Sequence, residues 1–167
     1  NIQKFRAKQL IDYIYHRYIF DFEDMTQFPK DLRQWLGDNC VISLPTLITE
    51  SIAPDGKTRK ILVEMSDQSR VEAVLMEQHY GYSVCVSSQV GCAMGCVFCA
   101  STQGGLYRDL TVAEIIGQVV IFGALTKEEI HSVVVMGAGE PLQNYDNVLQ
   151  ALQLLHDPMI CNISYRK

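Results

Sequence analysis

The sequence predicts an α/β fold: strand–loop–helix units on a parallel sheet, preceded by a small helical region and an antiparallel β meander. Three observations predict it. Apolar residues recur at helical spacing near the N-terminus, short β-rich runs alternate with turn compositions between residues 45 and 80, and after Gly81 the order strand, loop, helix occurs twice. With 167 residues, 48% hydrophobic and 20% charged, the chain buries a real core and is too apolar for disorder.

Residues 5–19 place Leu10, Ile11, Ile14, Tyr15, Tyr18 and Ile19 along one face of an amphipathic helix. A second, short helix opens at Pro29, carries Leu32, Trp35 and Leu36, and ends at Gly37. Leu47–Ala53, Lys60–Met65 and Val71–Met76 read as antiparallel strands, separated by Pro54-Asp55-Gly56 and Ser66-Asp67-Gln68-Ser69. Tyr82–Val86 is a short apolar strand leading into a cysteine-rich loop. Thr111 and Glu114 are spaced as a capping box, opening a helix whose face is Ile115, Ile116, Val119 and Val120. Ser132–Met136 is an apolar, largely β-branched run, the pattern of a strand buried on both sides. The loop Gly137–Pro141 follows, then a helix from Asp146 to His156, and Asn162–Tyr165 reads as a third strand beginning.

The net charge of −5 is uneven: residues 1–70 hold 10 Lys/Arg and 10 Asp/Glu, whereas 71–167 hold 4 and 9. This argues against a protein that coats nucleic acid by charge alone. Any nucleic-acid contact should lean on the first part, where Lys4, Arg6, Lys8, Arg17, Lys57, Arg59 and Lys60 cluster, although on charge alone a solvated surface explains them better. No apolar run approaches the roughly 18 residues that span a bilayer. The opening Asn1-Ile2-Gln3-Lys4 lacks a signal-peptide pattern, so a cytoplasmic protein without membrane contact is expected. Without an initiator Met, the chain is expected to start inside a longer protein.

Six cysteines stand at 40, 85, 92, 96, 99 and 161. Three share one loop, Cys92-Ala-Met-Gly-Cys96-Val-Phe-Cys99, a C-x3-C-x2-C run suited to a soft metal or an iron–sulfur cluster. Structural zinc normally takes paired knuckles, and no second pair exists, although Cys85 or His79 could supply a fourth ligand. The spacing favours a cluster with one corner left open. In parallel βα folds chemistry gathers at the carboxyl ends of the strands. The cysteine loop follows the first such strand and Gly137–Pro141 the second, so the two loops should meet. On its own, Gly137-Ala138-Gly139 would be a strand-to-helix turn. A dinucleotide fingerprint is not supported, because the third glycine is missing.

These residues resemble a known family. Cys92-x3-Cys96-x-Phe98-Cys99 is similar to the radical S-adenosylmethionine cluster motif. Arg70-Val71-Glu72-Ala73-Val74, Cys85 to Cys92 (CVSSQVGC), Arg108-Asp109-Leu110-Thr111 and Met136 to Leu142 (MGAGEPL) resemble the RlmN family, as does Lys4-Phe5-Arg6-Ala7-Lys8-Gln9. The resemblance covers essentially the whole chain. The related Cfr-type enzymes, which methylate adenine C8, lack the proline near Glu140, and Pro141 and Val90 favour C2.

The resemblance implies a radical SAM partial (βα) barrel over 81–167, preceded by a helical RNA-contacting accessory domain (1–42) and a β-hairpin extension (43–80). It implies a methyltransferase acting on C2 of an adenosine in 23S rRNA and tRNA. The reaction would run through a [4Fe-4S] cluster, a 5′-deoxyadenosyl radical and a covalent cysteine–RNA intermediate. Cys92, Cys96 and Cys99 would bind three irons, and S-adenosylmethionine the fourth. Gly139 and Glu140 would hold the cofactor's ammonium. Glu72 would take the adenine proton, and Cys85 would resolve the adduct by forming a disulfide. Without the family motifs, Cys85 would read as core and Glu72 as solvent-facing. An external flavodoxin-like electron donor and a monomer are expected. Cys40 and Cys161 do not match the family's methyl-carrying cysteine, which lies nearer the C-terminus, so this chain alone is expected not to methylate. The competing readings are a Cfr-type C8 methyltransferase and a non-catalytic iron–sulfur or zinc module that grips RNA.

Overall fold

The computed structural model describes residues 3–165. Helices α1 (Lys4–Tyr15) and α2 (Lys30–Asn39) enclose a small apolar cluster of their own, in which Tyr13, Met25, Phe28 and Leu36 are buried. Both helices differ from their expected bounds. α1 ends at Tyr15 because the chain turns at Tyr18 (φ +54°), while the N–H groups of His16 and Arg17 both close on the Asp12 carbonyl. α2 runs past Gly37, which packs against nothing and so marks no stop. Asn39 ends it instead, its side-chain amide donating to the Trp35 carbonyl (2.8 Å).

The β-rich region forms β1 (Thr46–Ile52), β2 (Thr58–Glu64) and β3 (Arg70–Gln78), paired antiparallel as the turn compositions predict. Gly56 (φ +73°) permits the first turn, and the Asp67 carboxylate accepts from Ser69 N–H (3.0 Å) in the second. β4 (Gly81–Cys85) continues the meander beside β3. After a two-stranded hairpin, β5 (Gln89–Gly91) and β6 (Leu106–Asp109), the chain forms α3 (Val112–Thr126) and returns as β7 (Ile130–Val134). β7 lies parallel to β4, giving one mixed sheet in the order β1-β2-β3-β4-β7.

One face of this sheet buries Ile61, Val63, Val71, Ala73, Leu75, Val84 and Val86. Against them pack Ile115, Ile116, Val119 and Val120 of α3, with Val148, Ala151 and Leu155 of α4 (Tyr145–His156). α3 starts on the expected capping box: Glu114 N–H donates to Thr111 Oγ1 and Thr111 N–H to the Glu114 carboxylate.

Two expectations are corrected. The strand read as Ser132–Met136 is Ile130–Val134, and Met136 is exposed, because the chain leaves the sheet after Val134. Asn162–Tyr165 forms no strand. Asn162 takes φ +52°, Ile163 N–H donates to the Leu155 carbonyl (2.9 Å), and the Tyr165 ring stacks on His156 at 4.1 Å. The segment is thus tied to the end of α4 rather than to β7. Among the described residues the fold is mixed α/β with one parallel pair, not a closed barrel. None of their helices is long and apolar enough to cross a membrane.

Candidate functional site

β4 and β7 run side by side, so the segments leaving their carboxyl ends emerge together. Pairing continues beyond both strands: Val86 N–H donates to the Val134 carbonyl (2.9 Å), Gly137 N–H to Val86 (3.0 Å) and Ser88 N–H to Ala138 (2.9 Å). Backbone thus joins the segment leading into the cysteine loop to the glycine loop, while the cysteine loop itself is hydrogen-bonded to the chain after β7 only through the Met94 and Gln143 side chains among the described residues. The backbone junction requires the glycines. A Cβ on Gly137 would lie 2.6 Å from Ser87 Oγ and 2.8 Å from Ser87 N, and one on Gly139 (φ +104°) 2.6 Å from Gln89 Cβ.

Four buried polar side chains complete this junction, and the sequence reading missed all of them. Ser87 Oγ donates to the Glu72 carbonyl (2.7 Å) and accepts from Ala138 N–H (2.9 Å). Gln118 of α3 accepts from Ser87 N–H (2.8 Å) and donates to the Ser87 carbonyl (3.1 Å). Asn144 donates to the Ser88 (2.7 Å) and Leu110 (2.8 Å) carbonyls. Gln89 accepts from Glu140 N–H (2.8 Å) and donates to the Asp109 carboxylate (2.7 Å). The one available signal was a polar triplet, Ser87-Ser88-Gln89, directly after an apolar strand. Glu140 itself turns one carboxylate oxygen to Leu142 N–H (3.0 Å).

The cysteine loop is held more sparsely. β5 and β6 clamp its two limbs, with Cys92 N–H donating to the Gly105 carbonyl (3.0 Å). Inside it, Gly95 N–H reaches Thr102 Oγ1 (2.9 Å) and Cys99 N–H the Cys96 carbonyl (3.0 Å). Cys92 is buried, Cys99 half-buried and Cys96 exposed. Val97 and Phe98 are almost entirely in solvent (102% and 89%). The loop touches its neighbour where the Gln143 side-chain amide meets Met94 Sδ at 3.4 Å. Among the described residues, no three His, Cys, Asp or Glu side chains gather to hold a single metal ion.

Glu72 and Cys85 share the sheet face turned away from α3 and α4. Cys85 stands opposite Val74 on β3 and beside Val134 on β7, and Glu72 lies two residues from Val74, at the loop end of the sheet. Glu72 is exposed and pairs with Lys60 Nζ (2.9 Å). Burial pushes the Cys85 thiol above its usual range, partly offset by a hydrogen bond from the Met136 backbone. All six cysteines are free, so no disulfide joins Cys85 to another cysteine of this chain. Cys161 is elsewhere. It lines a cavity of about 360 Å³ with Tyr15, Tyr18 and Ile130 at the amino end of β7, and burial, then the Glu129 carboxylate, push its thiol up to about 12. Cys40 is exposed beyond α2.

Comparison with known proteins bears on this arrangement. Residues 1–42 match the ribosomal RNA large subunit methyltransferase N-terminal domain, and residues 86–165 the radical SAM superfamily. A probable dual-specificity RNA methyltransferase RlmN of Symbiobacterium thermophilum is 49% identical over 165 residues, covering 98% of this chain and 44% of that protein. The chain belongs to the RlmN family. Another RlmN relative, from Clostridium perfringens (strain 13 / Type A), is 45% identical over 162 residues, covering 97% of this chain and 47% of its own length. The chain thus spans just under half the length of these RlmN relatives. The crystal structure of a radical SAM methyltransferase from Sphaerobacter thermophilus superposes with a TM-score of 0.91 at 36% identity, over 99% of this chain and 49% of that one. The mixed α/β architecture is accordingly that of a radical SAM methyltransferase.

Proposed function

We propose that this chain supplies the cluster, cofactor and proton-transfer groups of an RlmN-type enzyme that methylates C2 of adenosine in 23S rRNA and tRNA. The observation that carries the reading is the junction of the two loops. Cys92, Cys96 and Cys99 lie on one, Gly139 and Glu140 on the other, and Glu72 and Cys85 at the same end of the sheet.

The donor set fits a [4Fe-4S] cluster. Three thiols at C-x3-C-x2-C spacing on one loop, with no second knuckle in the sequence, suit irons at separate corners with one corner left open. Cys92, Cys96 and Cys99 would hold the cluster, which with S-adenosylmethionine supplies one-electron chemistry and the methyl group. Gly139 and Glu140 bind the cofactor's ammonium, the glycine allowing close approach and the carboxylate pairing the cation. Glu72 accepts the adenine C2 proton once RNA displaces Lys60 from it. The Cys85 thiolate would attack the sulfur of the methyl-carrying cysteine bound to RNA, forming the disulfide as the C–S bond breaks and its electron pair stays with the RNA, a step that quickens as pH rises toward the elevated Cys85 pKa. In this reading residues 1–42 contact RNA, 43–80 extend the sheet, and 81–167 begin a (βα) barrel of a cytoplasmic monomer fed by a flavodoxin-like donor.

The test is to express the whole reading frame that contains this chain in a strain lacking its own adenine-C2 methyltransferase. Mass spectrometry of 23S rRNA and tRNA should find 2-methyladenosine; 8-methyladenosine instead would assign the C8 reaction. Cys85→Ala should trap RNA on the protein as a band on a denaturing gel, and the absence of such a band removes that role from Cys85.

A further inference from the structure

Gln89 has no solvent exposure, and its amide finds a partner at each end. Its Nε2 donates to the Asp109 carboxylate at 2.7 Å, and its Oε1 accepts from Glu140 N–H at 2.8 Å. A carboxylate only accepts, so Asp109 fixes which way the amide points and thereby aims a carbonyl oxygen at Glu140. Gln89 N–H also donates to the Ala138 carbonyl at 3.2 Å, and its Cβ and Cγ abut Gly139, where a side chain would come within 2.6 Å and 2.8 Å of them. One residue therefore shapes three consecutive residues of the loop from behind, Ala138 through its backbone and Gly139 and Glu140 through its side chain. Asp109 in turn stands on β6, the limb by which the chain leaves the cysteine loop, and pairs with Gln89 across the hairpin.

We propose that Gln89 is a positioning residue that sets the Gly139–Glu140 backbone for the S-adenosylmethionine ammonium, with Asp109 fixing its polarity. This rests on the reading of Gly139 and Glu140 as the ammonium site. Gln89 touches no cofactor atom; it acts through the Glu140 N–H, leaving the Glu140 carboxylate, which accepts only from Leu142 N–H among the described residues, to meet the cation.

The polarity gives a test that packing alone would not pass. Gln89→Glu keeps size and shape but places a second carboxylate against Asp109. Gln89→Glu combined with Asp109→Asn restores a donor facing an acceptor, with the introduced carboxylate accepting from both the new amide and Glu140 N–H. The protein is reconstituted anaerobically, iron and sulfide are counted, and S-adenosylmethionine binding is measured by equilibrium dialysis without reductant. Gln89→Glu should bind about tenfold more weakly at parental iron content, the scale of one buried hydrogen bond lost, and the double variant should recover to within about threefold of the parent. Parental affinity in Gln89→Glu, or no recovery in the double variant, overturns the inference while leaving the ammonium site in place. If Gln89→Glu fails to load its cluster, the double variant decides: loading and affinity restored support the pairing, and neither restored overturns it. A cluster-loaded parent that binds no S-adenosylmethionine overturns the site reading, and this inference with it.

Discussion

The two loops that meet at the sheet's end are built in opposite ways. The glycine loop is over-determined: Gly137, Ala138 and Glu140 each place an N–H on a defined acceptor, and Gln118 and Asn144 hold the strand-end backbone it rests on. The cysteine loop is bonded mostly to itself, through five hydrogen bonds within residues 92–105, and it has an exposed Cys96 with Val97 and Phe98 in solvent. A loop that recognises a ligand through its backbone must be held beforehand, because flexible N–H groups and carbonyls lose affinity to ordering. A loop that wraps a metal centre can be ordered by metal–thiolate bonds, whose formation is itself folding free energy.

The largest predicted effect follows from that contrast. Any one of Cys92→Ala, Cys96→Ala or Cys99→Ala should abolish cluster loading after anaerobic reconstitution, because each thiolate serves a different iron. Hydrogen exchange should sharpen the comparison: loading the parent should protect residues 92–105 strongly and change 137–141 little. A variant that still binds four irons, or equal protection in both loops, would break it.

Next comes the glycine loop. Gly137→Ala should cost roughly 2–4 kcal/mol, since the added methyl meets the backbone of Ser87 and Val86, which cannot move without breaking the junction. Chemical denaturation measures it, and a change below about 0.5 kcal/mol would show the loop to be pliable. Gln118→Leu should follow at about 1–3 kcal/mol, because it strands both the N–H and the carbonyl of buried Ser87. The same variant should leave iron content unchanged, and loss of iron would mean that the two loops are not independent.

The same contrast separates what was legible in the sequence from what was not. Local rules sufficed for Thr111 and Glu114, for the buried face of α3, and for the turns at Gly56 and Asp67, where a few neighbouring residues decide the outcome. Topology sufficed for the meeting of the loops. The buried amides were not legible, because a lone glutamine in a sequence ordinarily faces water, and Gln89 and Gln118 are inside only because the junction offers each a donor and an acceptor. The β5–β6 hairpin was missed because its strands are three and four residues long and separated by the cysteine loop. Asn162–Tyr165 has strand composition, but its backbone partners lie at the end of α4. Of the proposed site residues, only the three loop cysteines carried a local signal, their spacing; Gly139, Glu140, Glu72 and Cys85 required the family resemblance, since on its own the glycine loop is a turn, Cys85 would be core and Glu72 would face solvent.

The smallest predicted effect concerns how the cysteine loop's outgoing limb is anchored. On β6, Arg108 bonds Asp67 in the β2–β3 turn (2.6 Å) and Glu114 in the first turn of α3 (2.7 Å), so ion pairs join the buried Gln89 amide on Asp109 in pinning this limb. Arg108, then Ser69, hold the Asp67 carboxyl well below the usual carboxylate range. Burial pushes Glu114 up, but hydrogen bonds from Arg108 and Thr111 outweigh it and leave its pKa lowered. Both groups are more acidic folded than unfolded. Their stabilisation is therefore complete above the ordinary carboxylate range and is lost as pH falls through that range toward the lowered values. Because these side chains are partly exposed, solvent screening keeps the loss small. Arg108→Met should lower stability slightly at pH 7 and flatten this part of the acid dependence, so parent and variant draw together as pH falls below the ordinary carboxylate range. Hydrogen exchange at residues 105–110 should quicken in the variant at pH 7, with 137–141 unaffected. Parallel stability curves for parent and variant between pH 7 and pH 3 would show that Arg108 fills space at this shoulder and that its charge anchors nothing.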